Sequence, residues 1–389
     1  MKSFETYPSE KRVYTDRISG IKVTQLTSFL CNSYHEYFTN NGLWQNGREY
    51  LFISDRGNAT NLFTINLESG EINRLTDYKP GEHRGIYFAN DINPVRPEVY
   101  CYENDRIYAY DLTDLETRFL YQAPEGFHLH GGLVGADGKY TYITLQEDLS
   151  SRIYTDMGAS YIGFAETFEA HPDCRIVRID TETGKAEELW QENCWIGHVN
   201  PSPTQPTLMT FCHEGPWHLV DQRLWFMDTR DCKPVMLRPR KVEGEGVGHE
   251  YWFEDGLRVG YQAHQPGVGS FFGVINYDGS HEQEAMCVPF PSPDHVHSVD
   301  FNLIVSDSGR AIKLYKNLGD RFDDARVLAM HDGSFFHQFC HPHPRMMPGA
   351  RQVLYNSNVT GYCQLYLADI PEDVMALPKV ADVIKPIVS

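Results

Sequence analysis

Seven segments of this chain repeat one pattern, and the repetition constrains the fold more than any other feature of the sequence. Each segment has a strand of alternating apolar residues, a polar turn and a second strand, followed by a short turn and an outer strand. The first strands begin near residues 51, 97, 139, 206, 257, 302 and 351. Apart from one longer interval, their spacing is about 42 to 51 residues, which is the length of a four-stranded blade. The pattern therefore predicts an all-β fold, a seven-bladed β-propeller.

Two stretches fall outside the repeat. Residues 12–27 contain an alternating strand but no inner strands of their own, so they are predicted to close the ring by joining the last blade. The longer interval holds an insertion at about 145–172, with a short helix expected over one face of the ring. With a short irregular tail around Pro386, residues 1–389 are predicted to form a single domain.

The composition limits the partners of such a propeller. The net charge of −19 argues against broad binding to nucleic acid or to an anionic membrane, because both need an extended basic face, but a local pocket can still bind a small anion. The sequence has no run of about 18 apolar residues and no apolar signal-peptide core at its start. Nine cysteines without a Cys-x-x-Cys pair indicate reduced thiols. We therefore expect a cytoplasmic protein, and its oligomeric state is left open.

The densest group of metal-binding side chains lies in residues 338–344. His341 and His343 are two residues apart, so in an extended segment their imidazoles project from one face, and the proline after each favours that conformation. A second pair, His295 and His297, precedes them by about one repeat. An isolated His-x-His pair is more often an ordinary surface loop, but three or four such groups from two neighbouring segments would suit Mn, Fe, Ni or Zn.

Further histidines occur close to the predicted blades. A propeller gathers the loops before its innermost strands around one end of the central channel, so residues distant in sequence meet there. Histidines stand shortly before, or at, the first strands of four blades: His198, His249, His297 and the pair His341 and His343. This recurrence predicts one funnel lined with imidazoles.

Four motifs between residues 172 and 344 form a more specific pattern: Pro172-Asp173-Cys174-Arg175, Phe211-Cys212-His213-Glu214-Gly215-Pro216, His249-Glu250-Tyr251-Trp252 and the segment 338–344. With these motifs the chain resembles the oligogalacturonate lyases, a family of intracellular seven-bladed propeller enzymes that degrade short pectin fragments. The resemblance covers nearly the whole chain and is most specific from about residue 171 to 371.

The resemblance implies a divalent cation, typically manganese, that is held by three histidines and a glutamine. The matching residues are His297, Gln338, His341 and His343. On the residues alone, His295 remains an alternative to His297, and His337 remains an alternative to Gln338. The choice of Gln338 requires a bend of the chain near Cys340, because an ideal strand would turn His337 toward the other ligands.

The resemblance also implies catalytic and substrate-binding residues. His249 matches the proposed base, and Arg223 matches the arginine that binds the substrate. Beside these two, His213 and His198 are candidate substrate contacts, although His198 could instead support a residue that contacts the substrate. Each has an ordinary structural alternative. His249 could be a core histidine, Arg223 could form a salt bridge with Asp221, and His213 with its neighbour Glu214 could be a polar pair that ties two blades together.

These residue types suit β-elimination from a 4-linked uronate. The C5 proton is weakly acidic because it lies α to a carboxylate, and a cation on that carboxylate stabilises the developing charge. A neutral imidazole takes the proton near pH 7, and an arginine pairs with a carboxylate in bidentate fashion. The resemblance therefore implies a metal-dependent lyase that cleaves short oligogalacturonates to 4,5-unsaturated uronates.

Three alternatives stay open. The chain departs from the family in residues 31–39 and has a shorter turn at 307–310, so the substrate could be another uronate oligosaccharide. The same base and cation would also suit a hydrolase or an epimerase. A propeller that only binds sugars would share the strands, because fold does not determine function. A serine peptidase is disfavoured, since the sequence contains no Gly-x-Ser-x-Gly motif.

Overall fold

Seven antiparallel sheets make up the described part of the computed structural model, which comprises residues 2–82, 90–158, 160–287 and 294–384. Consecutive strands are neighbours within each sheet, as in the blades of a propeller. The predicted seven-bladed β-propeller is thereby confirmed. The tail predicted around Pro386 falls in residues 385–389, which lie outside the described residues.

The strands are numbered in chain order, and the N-terminal segment contains β1 (Glu5–Tyr7), β2 (Arg12–Thr15) and β3 (Lys22–Gln25). Blade one contains β4 (Ser33–His35), β5 (Leu43–Trp44), β6 (Glu49–Ser54), β7 (Asn61–Asn66) and β8 (Ile72–Arg74), and blade two contains β9 (Asp91–Ile92), β10 (Glu98–Glu103), β11 (Arg106–Asp111) and β12 (Thr117–Gln122). Blade three contains β13 (Phe127–Val134), β14 (Tyr140–Glu147), β15 (Asp173–Asp180) and β16 (Ala186–Asn193).

Blade four contains β17 (Ile196–Pro201), β18 (Leu208–His213), β19 (Leu224–Asp228) and β20 (Val235–Met236), and blade five contains β21 (Gly246–Trp252), β22 (Arg258–Gln265), β23 (Gly269–Asn276) and β24 (Gln283–Met286). Blade six contains β25 (Val296–His297), β26 (Leu303–Ser306), β27 (Ala311–Lys316) and β28 (Arg326–Met330). Blade seven contains β29 (Arg345–Met346), β30 (Gln352–Ser357) and β31 (Gln364–Asp369). The helical elements are short: α1 (Phe164–Glu169), α2 (Val380–Val383), and 3-10 turns at Arg56–Asn58, Gln338–Cys340, Pro348–Ala350 and Val374–Ala376. Among the described residues, no helix has the length and apolar composition of a bilayer-spanning segment.

The ring is closed by the N-terminal segment, as predicted. Strand β3 pairs antiparallel with β31, with Val23 opposite Ala368 and Gln25 opposite Tyr366, and β2 lies outside β3. Blade seven therefore takes two strands from the beginning of the chain and three from its end. The preceding strand, β1, joins β8 at the outer edge of blade one, so the N-terminal segment spans the seam of the ring.

The sequence-based numbering of the strands was wrong in one respect. The strands predicted to be the first of each blade are in fact the second strands. An inner strand precedes each of them, and these inner strands are β4, β9, β13, β17, β21, β25 and β29. Three of these inner strands, β9, β25 and β29, have only two residues each, too few for an alternating pattern. The predicted histidine-bearing loops are thus largely these inner strands and the residues directly before them.

The hydrophobic core lies between adjacent blades. Val305 and Leu314 of blade six, for example, belong to one cluster of fully buried side chains with Val353 and Tyr355 of blade seven. Each such aliphatic side chain contributes about 1.5–3 kcal/mol when it is removed from water. Because every blade is packed on both sides in this way, the inner strands are held in fixed positions around the channel.

The residues between β14 and β15 carry α1 and contact the segment that leads to β29. The carbonyl oxygen of Gly158 accepts a hydrogen bond of 2.8 Å from the backbone N–H of Gln338. Gly163, just before α1, has a φ of 79°, and a Cβ there would lie 2.5 Å from the carbonyl oxygen of Tyr154. The turn into α1 therefore needs a glycine on both counts.

Candidate metal and substrate site

Three histidines at the inner strands share an unusual backbone conformation. His198 in β17, His249 in β21 and His343 just before β29 have φ values of 47°, 51° and 43°. In β17 and β21 the histidine lies within a β-bulge, where the pairing with the next strand shifts its register. A bulge interrupts the alternation of a strand and redirects a side chain, and left-handed positions of this kind are common at functional sites. The sequence pattern alone did not indicate these bulges.

The part of the chain that the structure describes contains two overlapping groups of possible metal ligands, one of three imidazoles and one of His249, Asp294 and His295. One nitrogen each of His295, His341 and His343 lie within 4.8 Å of one another. The ring centroids of His295 and His343 are 4.2 Å apart, and that of His341 is 5.6 Å from His295 and 5.5 Å from His343. Such a group of nitrogen donors fits a divalent transition metal.

Hydrogen bonds leave a lone pair available on two of these rings. The Nε2–H of His341 donates to the carbonyl oxygen of Phe335 at 3.1 Å, and its Nδ1 is buried with no hydrogen-bond partner among the described residues. Nδ1 of His295 lies 3.1 Å from a carboxylate oxygen of Asp307, so in the neutral ring the proton is on Nδ1 and the opposite nitrogen has the lone pair. A carboxylate behind a ligating histidine fixes its tautomer and orientation, as in many metal sites.

Asp307 holds two of the histidine segments together. It is fully buried and also accepts the backbone N–H of His295 at 2.9 Å and that of His343 at 3.2 Å. Burial opposes ionisation of Asp307, but the neighbouring His295 outweighs this and lowers the pKa of the carboxyl. In return, Asp307 outweighs the effect of burial on His295 and raises the pKa of that imidazole. Asp307 was not among the residues predicted from the sequence.

The structure brings His295 to the cluster, whereas the resemblance favoured His297. The ring of His297 stacks on Tyr251 with a centroid distance of 4.9 Å, and its Nδ1 accepts the backbone N–H of Met346 at 3.1 Å. His295 directly precedes β25 and reaches the cluster, whereas His297 lies within the strand and is absent from the group of three imidazoles. His297 lies deeper in the channel, and the choice of His297 over His295 does not agree with this geometry.

Gln338 lies on the 3-10 turn Gln338–Cys340, which is the bend that its selection required. The side-chain amide of Gln338 donates to the hydroxyl of Tyr161, and the backbone carbonyl oxygen of Gln338 accepts the backbone N–H of His341 at 3.1 Å. The alternative residue, His337, accepts the N–H of Phe339 at its Nδ1 and packs on that ring. Gln338 and His337 both contact the insertion, Gln338 through Tyr161 and His337 with its ring against Gly158.

His249 stands beside the cluster. Its ring centroid is 4.8 Å from that of His295 and 5.0 Å from the nearer ring of Trp217. Burial, and then the charges of His295 and Arg223, hold the pKa of His249 well below its usual range. Its Nδ1 has no hydrogen-bond partner within residues 2–82, 90–158, 160–287 and 294–384, so it is not tied to a carbonyl in the way that a structural core histidine would be. A neutral imidazole with access to the channel has the properties of a general base.

Arg223 is buried between two carboxylates. Its Nη1 lies 2.8 Å from Glu214, and its Nε lies 3.3 Å from Glu250. Glu214 also contacts the more exposed His198 at 3.4 Å. Burial opposes ionisation of Glu214, but Arg223 and His198 outweigh it and hold the pKa of that carboxyl far below its usual range. The alternative of a salt bridge to Asp221 is wrong, because that side chain is 99% exposed and pairs with Arg240.

His213 does not reach the cluster. Its Nε2 lies 2.8 Å from a carboxylate oxygen of Glu192 in blade three, and its ring packs on Trp225 at 4.8 Å. The polar pair that ties two blades is therefore His213 with Glu192, across blades four and three, and not His213 with Glu214. The geometry does not support His213 as a substrate contact.

Two aromatic residues at the site were missed. Tyr37, from the stretch in which the sequence departs from the family, stacks on His198 at 5.3 Å and meets the ring of His343 edge-on at 5.0 Å. Tyr161 comes from the insertion and contacts Gln338. The departure at residues 31–39 was a usable signal for Tyr37, but periodicity cannot show which loop residue reaches the channel.

We predict that Arg223→Met destabilises the fold by about 3–5 kcal/mol, because it leaves Glu214 and Glu250 buried without their cation. Urea unfolding followed by circular dichroism measures the change. The matched control is Arg17→Met, which removes a 2.8 Å pair whose arginine is 65% exposed and should cost less than about 1 kcal/mol. Equal effects of the two substitutions would contradict the prediction.

A second prediction concerns pH and the fully buried Glu36, which accepts a 3.0 Å hydrogen bond from the amide of Asn90. Burial raises the pKa of this carboxyl from 4.5 to about 8. The folded state therefore keeps a proton that the unfolded chain releases, so stability falls as pH rises from about 4.5 to about 8. Glu36→Gln should remove this loss and be more stable than the wild type at pH 8, with little difference near pH 4.5. Urea midpoints that differ equally at both pH values would contradict the assignment.

The fold and the cluster define the class of the protein as a seven-bladed β-propeller with a candidate metal site at one end of its channel. Comparison with known proteins narrows that class. The sequence profile of the family described as oligogalacturonate lyase matches residues 5–374. The chain belongs to the oligogalacturonate lyase family, whose members are carbon–oxygen lyases.

Named relatives match over almost the full chain. The oligogalacturonide lyase of Pectobacterium atrosepticum is 28% identical over 390 aligned positions, covering 94% of this chain and 98% of that protein. The oligogalacturonate lyase of Dickeya dadantii is 28% identical over 93% of this chain and 96% of its own length. A solved oligogalacturonate lyase in complex with manganese superposes with a TM-score of 0.85, at 24% identity, over 96% of this chain and all of that one. The enzyme from Vibrio parahaemolyticus gives a TM-score of 0.84 at 25% identity, over 96% of this chain and 99% of its own.

Proposed function

We propose that this protein is a metal-dependent lyase that cleaves short oligogalacturonates by β-elimination and releases a 4,5-unsaturated uronate. The observation that carries the proposal is the position of the neutral His249, 4.8 Å from the ring of His295 in the cluster. A base beside a cation site is the arrangement that removal of a proton α to a carboxylate requires. The names of the relatives support the substrate class.

We propose His295, His341, His343 and Gln338 as the ligands of a divalent cation, most simply the manganese that the solved relative contains. The free lone pairs on His295 and His341 and the carboxylate behind His295 fit such an ion. When bound there, the cation supplies Lewis-acid stabilisation for a substrate carboxylate. His297 is left out of the set because its Nδ1 accepts the N–H of Met346, so the neutral ring carries its proton on Nε2 and has no second lone pair for a metal.

His249 is the proposed base that takes the C5 proton. Its low pKa keeps the ring neutral near pH 7, so the lone pair is available. An anionic substrate beside the ring favours the imidazolium and so strengthens the base once the substrate is bound. Proton removal from C5 then expels the oxygen at C4 and forms the double bond.

Arg223 and His198 are the proposed contacts to the substrate. A guanidinium has five N–H donors, and Glu214 and Glu250 engage two of them, so further donors remain for a uronate carboxylate. The two glutamates hold the guanidinium in place, which reduces the entropy lost on binding. His198, at the exposed side of Glu214, extends this polar surface toward the mouth.

The cellular location is also proposed. All nine cysteines are free thiols, which suits a reducing cytoplasm better than an oxidising compartment.

Ultraviolet absorbance tests the function. The purified protein is chelated, mixed with digalacturonate or trigalacturonate, and followed with and without added manganese, because only elimination creates a conjugated double bond. A metal-dependent rise in absorbance is the expected result. Hydrolysis or epimerisation without the chromophore would overturn the proposal.

A second candidate is a lyase for a different uronate oligosaccharide. Tyr37, from the stretch that departs from the family, contacts His198 and His343 at the mouth and is the observation that favours it. A panel of glucuronate-containing disaccharides in the same assay decides between the substrates. Binding of oligosaccharides without any turnover would instead favour a propeller that only binds sugars.

A further inference from the structure

A pocket of about 260 Å³ lies at the opposite end of the channel from the histidine cluster. In blades four, five and seven a histidine is followed two positions later by a residue that lines the pocket. The pairs are His198 and Asn200, His249 and Tyr251, and His343 and Arg345. All seven inner strands run in the same direction, and the ends of all seven, or the residues just after them, line the pocket. The pocket therefore belongs to the far mouth of the channel.

Phe38 separates the two ends. Its ring is fully buried and lies 6.2 Å from His249 and 6.1 Å from His295 at the cluster end. It also lies 6.1 Å from the deeper His297, which lines the pocket, and its carbonyl oxygen accepts the Nη1–H of Arg345. An aromatic plug of this kind makes the two ends separate sites.

The pocket contains polar donors that the protein does not satisfy. Nε of Arg345 and Nδ2 of Asn200 are both buried, and neither has a hydrogen-bond partner among the described residues. Within the described part of the chain no carboxylate oxygen lies within 4.0 Å of the guanidinium of Arg345, although Asp91 and Glu254 are near enough to act on its charge. A buried donor without a partner costs about 1–3 kcal/mol, so a molecule that brings an acceptor recovers that cost.

The two carboxylates at the pocket already accept hydrogen bonds from the protein. The two carboxylate oxygens of Asp91 accept the N–H groups of Ile92 at 3.0 Å and Val134 at 2.9 Å. At the exposed rim, Glu254 accepts the N–H of Gly349 at 3.1 Å. The unsatisfied donors of Arg345 and Asn200 therefore favour a ligand that supplies acceptors. Because these two carboxylates are nearby, a monoanion is favoured over a doubly charged phosphate.

We propose that the far mouth of the channel is a binding site for a small monocarboxylate, with the guanidinium of Arg345 on the carboxylate and the amide of Asn200 on a further oxygen. Guanidinium and carboxylate match as planar, charge-assisted partners. The volume is below the 300–1,000 Å³ that is typical for drug-sized ligands, roughly enough for one sugar-acid ring. This site stands apart from the lyase site and does not depend on the proposed function.

Isothermal titration of the chelated full-length protein with D-galacturonate monosaccharide tests the proposal, with D-galactose and inorganic phosphate as comparison ligands. We expect galacturonate to bind more tightly than either, and Arg345→Gln to weaken it by about ten- to a hundredfold. Asn200→Ala should weaken it less. His341→Ala, at the other end of the channel, should leave this binding unchanged.

Ala136→Trp keeps the test decisive if Arg345→Gln does not fold, because Ala136 lines the pocket and its replacement fills space without removing a polar group. Loss of galacturonate binding in Ala136→Trp supports the site. Binding that survives both Ala136→Trp and Arg345→Gln, binding that is lost in His341→Ala, or no binding to the wild type would each overturn the proposal.

Discussion

His249→Ala is expected to lower kcat on oligogalacturonates by about a hundred- to ten-thousandfold, the contribution of a positioned general base. The ring lies 4.8 Å from that of His295 but is outside the proposed ligand set of His295, His341, His343 and Gln338, so the metal content of the purified variant should stay at the wild-type level. Initial rates from the product chromophore, together with elemental analysis, measure both quantities.

The control for this variant addresses the backbone. Because His249 has a φ of 51°, alanine adds strain there, whereas asparagine tolerates the left-handed region and cannot act as the base. His249→Asn should therefore show the same loss of kcat with a smaller loss of stability. Full activity in either variant would move the base to another residue.

His295→Ala is expected to abolish both manganese binding and activity, while His297→Ala keeps the metal. Loss of one ligand, and of the Asp307 contact that orients it, should lower the affinity of the protein for the metal by at least about ten- to a hundredfold. His297 instead accepts the N–H of Met346 and stacks on Tyr251, so its removal should reduce mainly the free energy of unfolding. Metal titration monitored by activity and by calorimetry distinguishes the two variants.

The double variant His341→Ala with His343→Ala is the reference for complete loss of the site. If His297→Ala matches that reference and His295→Ala retains the metal, the ligand set inferred from the geometry is wrong and the set suggested by the family resemblance stands. The comparison between His295→Ala and His297→Ala is direct because His295 and His297 lie on the same short segment and both are buried.

Much of the fold could be predicted because its main elements are long enough to show a pattern. Strands such as β6 and β30 have six residues of consistent burial, and their spacing revealed the seven blades. The inner strands β25 and β29 have two residues each, and β17 and β21 are interrupted by bulges, so no periodicity marks them. The histidines of the candidate site lie on these unmarked elements or directly before them.

For the site, local sequence indicated which residue types matter but not which side chain faces the channel. The His341 and His343 pair came together as expected, yet the choice between His295 and His297 depended on depth along the channel, which a pattern of period two cannot resolve. Likewise, the partners of Arg223 are Glu214 and Glu250, one from a loop and one from another blade, and no local spacing predicts them.

The seam between β3 and β31 has a consequence for synthesis. The nascent chain makes β2 and β3 almost at once, but the edge of β3 has no partner until residues 364–369 have left the ribosome. Until then an unpaired edge is exposed, and such edges are sites of association with other chains. The proposed ligands His341 and His343 directly precede the strands of the same late-made blade, so a chain that ends prematurely is expected to lack the metal site as well as to expose this edge.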